Sequence, residues 1–179
     1  MTGPKHSGKS STAMALGKIT GLEISDLDVA VERQTGKTPR QLYLEGPEIF
    51  REAEAQALES LIGHSGGDAV GGIVTTGGII AAGGGLIDNT EALSLLAERG
   101  NVIVVFLKIS PETAWQRILQ TAAGGELPPF LNTANPKETH RALHERRALA
   151  YEALADLTVN GEKMSPEEIA DYIAKKLCL

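Results

Sequence analysis

Eight residues near the start of the chain carry the strongest chemical signal. Gly3-Pro4-Lys5-His6-Ser7-Gly8-Lys9-Ser10 fits G-x-x-x-x-G-K-[ST] in full. Glycines let backbone N–H groups turn inward onto phosphate oxygens, and the following helix adds the positive end of its dipole. In this motif the lysine, Lys9, reaches the β- and γ-phosphates and the hydroxyl of Ser10 binds Mg²⁺. The loop predicts a nucleoside-triphosphate site, with Gly3, Lys5, His6, Ser7, Gly8, Lys9, Ser10 and Ser11 around the phosphates.

Other residues could act on a second substrate. Asp26 and Asp28 follow a short apolar stretch, Arg51 lies in a helical segment, Gly83-Gly84-Gly85 closes another apolar stretch, and Arg147 precedes Tyr151 by four residues. Each has a plainer reading. Asp26 could cap a helix and Asp28 be a solvated acid. Arg51 could pair with Glu48 or Glu54, each three residues away. The triple glycine could be a turn, and Arg117, Arg146 and Arg147 could be solvated. The four histidines (His6, His64, His140 and His144) and Trp115 read as structural or surface residues, with His6 beside the phosphate loop.

These residues must be held by elements that the pattern also predicts. Helices are expected over about 10–18, 29–35, 39–44, 47–62, 90–99, 111–121, 137–155 and 166–177. Strands are expected at 22–25, 73–75, 79–82, 102–109 and 157–160, the second and third being pieces broken by Gly77-Gly78, with 79–82 as the core strand. Val102–Ile109 is apolar on both faces, as a buried parallel strand should be. Short apolar strands alternating with helices predict a three-layer α/β fold with a mostly parallel sheet of about five strands. Only Met1 and Thr2 precede Gly3, so for the strand that normally leads into such a loop either this start is internal to a longer natural chain or the sheet centre is built on a truncated stub.

With 179 residues, the chain is expected to form one domain with a real core. A net charge of −6 argues against nucleic acid as partner. No run of 18 apolar residues predicts a membrane span, and no basic-then-apolar leader is visible, so the expectation is a cytoplasmic monomer. Cys178 is the one cysteine, which excludes an internal disulfide.

In order, the phosphate loop, Asp26-Leu27-Asp28, Phe50-Arg51, the triple glycine and Arg147-x-x-x-Tyr151 resemble shikimate kinase over nearly the whole chain. The resemblance implies a nucleoside-monophosphate-kinase-like fold with a lid, here at about 122–136. It implies transfer of the ATP γ-phosphate to the 3-hydroxyl of shikimate. Under it, Asp26 helps hold Mg²⁺ with Ser10, and Asp28 contacts the acceptor hydroxyl and takes its proton. Arg51 and Arg147 grip the acceptor carboxylate, for which a guanidinium fork is suited. Gly83, Gly84 and Gly85 let backbone approach the ring, and Arg117 lies against adenine. The family lid carries an arginine before a proline, whereas here Glu126-Leu127-Pro128-Pro129 has none, nor has any position from Ile118 to His140. Lys5, Arg117 and Arg146 are the candidate substitutes, with Arg146 favoured for its place beside Arg147. A kinase for another hydroxy acid such as gluconate, and a nucleotide-binding module without turnover, are the alternatives.

Overall fold

The computed structural model describes residues 1–64, 77–98, 100–121 and 127–179. The expected strand piece at 73–75 and the first part of the expected lid, 122–126, lie outside these. Among the described residues four strands form: β1 (Glu23–Asp26), β2 (Gly78–Ala81), β3 (Val105–Lys108) and β4 (Leu157–Asn160). β1 pairs with β2 and β3 with β4, both in parallel register, Ile24 opposite Ile79 and Phe106 opposite Thr158.

Met1 and Thr2 join the two pairs into one sheet. Met1 N–H donates to Ile80 O at 2.6 Å, and Ala82 N–H donates to Met1 O at 2.9 Å. On the other side Thr2 N–H donates to Val105 O at 2.7 Å, and Leu107 N–H donates to Thr2 O at 2.8 Å. The spatial order is therefore β1, β2, the two-residue stub, β3, β4, and the stub is the centre, as expected. Residues 102–104, expected as strand, lie outside β3. Instead Val102, Ile103 and Val104 line a largely apolar cavity of about 310 Å³ with Met1, Leu58 and Ile173.

Eight helices flank the sheet among the described residues: α1 (Lys9–Thr20), α2 (Leu27–Thr35), α3 (Pro39–Glu45), α4 (Pro47–His64), α5 (Thr90–Glu98), α6 (Pro111–Thr121), α7 (Pro136–Leu154) and α8 (Pro166–Leu177). Their ends follow local chemistry. Thr38 and Ser165 form capping boxes with Gln41 and Glu168, each with proline at the first turn. Gly36 stops α2 in the left-handed conformation, at φ 70°.

Side-chain alternation along the strands divides the core in two. Ile79, Ala81, Val105, Leu107 and Val159 pack against α1 and α8, through Ala13, Leu16, Ile169 and Ile173. Ile80 and Ala82 meet the opposite layer of Leu27, Val31, Leu58 and Leu86. Phe106 stacks on Tyr151 of α7, with ring centroids 5.3 Å apart. A third cluster holds fully buried Leu131 against Trp115 and Ile118 of α6. The chain from 127 onward is thus anchored to α6. No helix among the described residues is long and apolar enough to cross a membrane.

Candidate active site

The phosphate loop turns directly from the stub into α1. Gly3 sits at φ 151°, and a Cβ there would meet Leu107 O at 2.5 Å, so only glycine fits between loop and β3. His6 adopts the left-handed conformation at φ 61°, uncommon for a residue with a side chain. Gly8 caps α1 at φ 93°. Lys9 donates to Pro4 O at 2.8 Å, folded back across its own loop. Burial pushes the Lys9 ammonium down to about 8, helped by Lys5 and opposed by Asp28 and Asp26.

β1 delivers the carboxylates. Asp26 caps α2 by accepting from Asp28 N–H at 3.0 Å, and its other oxygen accepts from Ser10 Oγ at 3.2 Å. The capping reading of Asp26 thus holds, and the same side chain also reaches the first turn of α1. The Asp28 carboxyl is raised above its ordinary value by desolvation and then by Asp26, with Lys9 and Lys5 opposing.

These groups line one cavity of about 330 Å³. Lys5, His6, Lys9 and Ser10 form one wall, Asp26 and Asp28 a second, Gly83, Gly84 and Gly85 a third, and Arg147 with Tyr151 a fourth. The triple glycine does more than turn. A Cβ on Gly84 would lie 2.9 Å from Gly3 O and 3.3 Å from Lys5 N, so this loop packs on the phosphate loop itself. Gly83 lies between Asp28 and Glu54, and Gly85 faces the guanidinium of Arg147. Ser7 is buried behind the loop and Ser11 is exposed on the first turn of α1.

Three arginines are held by partners within the protein. Arg51, half-buried, pairs with Glu48 one turn away on α4 and does not line the cavity. An i, i+3 partner on the same helix satisfies it without crossing to the site. Arg117 donates to His6 O at 2.9 Å, bracing the phosphate loop from α6. Arg146, the favoured replacement for a lid arginine, is not available for that role in this arrangement. Its guanidinium forms a two-pronged pair with Asp88, at 2.8 and 3.1 Å, outside the cavity. Of the candidate substitutes, Lys5 lines the cavity.

Several contributors went unrecognised in the sequence. Glu54 is 1% exposed, accepts from Asn89 Nδ2 at 3.0 Å and feels Asp28, Arg147 and Arg51. His140 and His144, read as structural or surface, are buried and line the cavity, with ring centroids 5.6 Å apart. Desolvation lowers both imidazoles, which keeps them neutral. The spacing of His140, His144, Arg147 and Tyr151 along α7 puts them on one helical face, a signal the sequence did contain.

A phosphate cradle, an adjacent acid and an inward arginine on a parallel sheet define a P-loop phosphotransferase acting on a small molecule. The comparisons narrow this class. The model of the family described as shikimate kinase matches residues 5–178. A shikimate kinase of Thermobifida fusca (strain YX) is 33% identical over 99% of this chain and 92% of its own length. That of Vibrio parahaemolyticus serotype O3:K6 is 32% identical over 99% and 94%. Among solved structures, the shikimate kinase from Acinetobacter baumannii in complex with shikimate superposes with a TM-score of 0.79 at 28% identity, covering 99% of this chain and 90% of that one. A deoxyadenosine kinase from M. mycoides, at 17% identity and a TM-score of 0.53, shares the fold. This chain belongs to the shikimate kinase family.

Proposed function

We propose that the chain transfers the γ-phosphate of ATP to the 3-hydroxyl of shikimate. The observation that carries this is the single cavity in which Lys9, Asp28, the triple glycine and Arg147 face one another. Arg147 supplies a guanidinium for the acceptor carboxylate, and Asp28 stands on the side where a ring hydroxyl would approach the phosphates. As the acceptor oxygen bonds to the γ-phosphorus, the bond from phosphorus to the bridging oxygen of ADP breaks and the hydroxyl proton passes to Asp28. The raised affinity of Asp28 for a proton suits that task. Lys9 neutralises charge on the transferring group, which is where a phosphoryl-transfer enzyme gains most.

Ser10 and Asp26 fit a Mg²⁺ ion. Their oxygens lie 3.2 Å apart beside the phosphate loop. Mg²⁺ needs only one or two protein oxygens and completes its shell with phosphate and water. When bound, such an ion draws charge from the β- and γ-phosphate oxygens.

Arg51 reaches the acceptor in this reading by leaving Glu48. The test is ADP release in a coupled assay with shikimate, gluconate and other hydroxy acids. Shikimate-dependent release supports the proposal, gluconate-dependent release alone transfers it to the other acceptor class, and no acceptor-dependent release refutes kinase function.

A further inference from the structure

The loop after the triple glycine ties together the two helices that carry the acceptor arginines. Tyr151 of α7 accepts from Ile87 N–H at 3.1 Å. The next residue, Asp88, binds Arg147 through Oδ2, at 2.9 Å from Nε and 2.7 Å from Nη2, and Arg146 through both oxygens. The residue after that, Asn89, donates to Arg51 O at 2.8 Å and to Glu54 on α4. Three consecutive residues thus connect the glycine loop to both flanking helices.

Asp88 is the unexpected member. A carboxylate on the edge of an arginine that must bind another carboxylate would cancel the charge it needs. The second arginine resolves this. Arg146 forms its own two-pronged pair with the same carboxylate, so three charged groups sum to one positive charge. Arg147 side chain is 24% exposed and Arg146 58% exposed, so the buried partner is the one facing the cavity. The Arg147 guanidinium carbon also lies 6.0 Å from the Phe130 ring centroid, which closes its other side. With Nε donating to Asp88 and Nη2 paired to the same oxygen, the Nη1 protons remain for a ligand.

We propose that Asp88 is a positioning residue for acceptor binding. It fixes the Arg147 guanidinium at the cavity wall, and Arg146 neutralises it so that Arg147 keeps a net positive charge for an acceptor carboxylate. This rests on the reading of Arg147 given above. A long side chain held in place before binding loses less freedom when the ligand arrives.

The test compares the full chain with Asp88→Asn, Arg146→Ala and the double variant. Kinetics with shikimate and ATP are one readout. The rate at which phenylglyoxal labels Arg147 in the ligand-free proteins, mapped by peptide mass, is the other. Asp88→Asn is expected to raise the acceptor KM about tenfold, with kcat and the ATP KM within about twofold, because uniform binding is lost. Labelling of Arg147 should quicken several-fold. Arg146→Ala leaves Asp88 to cancel Arg147 and should raise the acceptor KM by a similar factor. The double variant should be no worse than either single, against roughly a hundredfold if the residues acted independently. Asp88→Glu should recover part of the loss. An Asp88→Asn protein with an unchanged acceptor KM and unchanged labelling overturns the proposal, and so does a multiplicative double variant. Should Asp88→Asn not fold, an unchanged acceptor KM in Arg146→Ala overturns it alone. A wild type that labels as expected but ignores shikimate refutes the substrate reading and leaves the positioning standing.

Discussion

Replacing Glu54 by glutamine should stabilise the protein, by an amount that grows as pH rises from about 4.5 to about 7 and then levels off. Burial pushes the Glu54 carboxyl up to about 7 from an ordinary 4.5, with the Asn89 hydrogen bond opposing and Asp28 assisting. The folded state therefore holds this proton more tightly than the unfolded chain. Below the unfolded value both states are protonated and the group costs nothing. As pH rises from 4.5 to 7 the unfolded chain ionises first, and stability falls through that window. Above 7 the ionised, 1% exposed carboxylate is carried into the fold at an order-of-magnitude cost of about 3 kcal/mol, at about 1.4 kcal/mol per tenfold change in proton affinity. Glutamine keeps the carbonyl oxygen that accepts from Asn89 and removes the titration. Urea unfolding at pH 5 and pH 8 measures the difference. The gain should approach about 3 kcal/mol at pH 8 and fall to about 1 kcal/mol or less at pH 5. Equal effects at both values, or destabilisation at pH 8 alone, would refute the assignment of a buried, neutralisable carboxyl.

Lys9→Ala should abolish turnover while near-native circular dichroism persists; near-normal ADP release by that variant would sink the phosphate-loop reading. Lys5→Met should lower kcat by roughly 10- to 100-fold with little change in the acceptor KM, less than the 10³–10⁵ of an arginine acting on the same transition state. A silent Lys5→Met removes it as the stand-in for the absent lid arginine. Leu131→Ala, at a fully buried anchor between α6 and the 127–131 segment, should cost about 2–5 kcal/mol in chemical denaturation.

The parts of this molecule written in contiguous residues were legible from sequence. The phosphate loop is one turn of chain, and its glycines and lysine sit where the motif requires. Asp26-Leu27-Asp28 follows its strand, and the helices begin at the capping boxes that Thr38-Gln41 and Ser165-Glu168 spell out. Contacts between distant segments were not legible. Nothing local tells Arg51 whether to choose Glu48 one turn away or a ligand across the cleft. Asp88 reads as a loop acid until the fold brings α7 alongside it, and Arg146 reads as a free cation for the same reason. Glu54 resembles any other glutamate on an apparently amphipathic helix, because its burial comes from the glycine loop and α5, not from its neighbours in sequence.

The contact between Gly84 and the phosphate loop has a thermodynamic consequence. Both loops line the same cavity, and the space between them is too narrow for a methyl group. If binding at either loop shifts its backbone, the other loop must respond through this contact. Linkage makes the two effects equal: any factor by which ATP changes the affinity for the acceptor is the factor by which the acceptor changes the affinity for ATP. Because the contact is backbone against backbone, that coupling needs no side chain to transmit it, and Gly84→Ala should alter it together with both individual affinities.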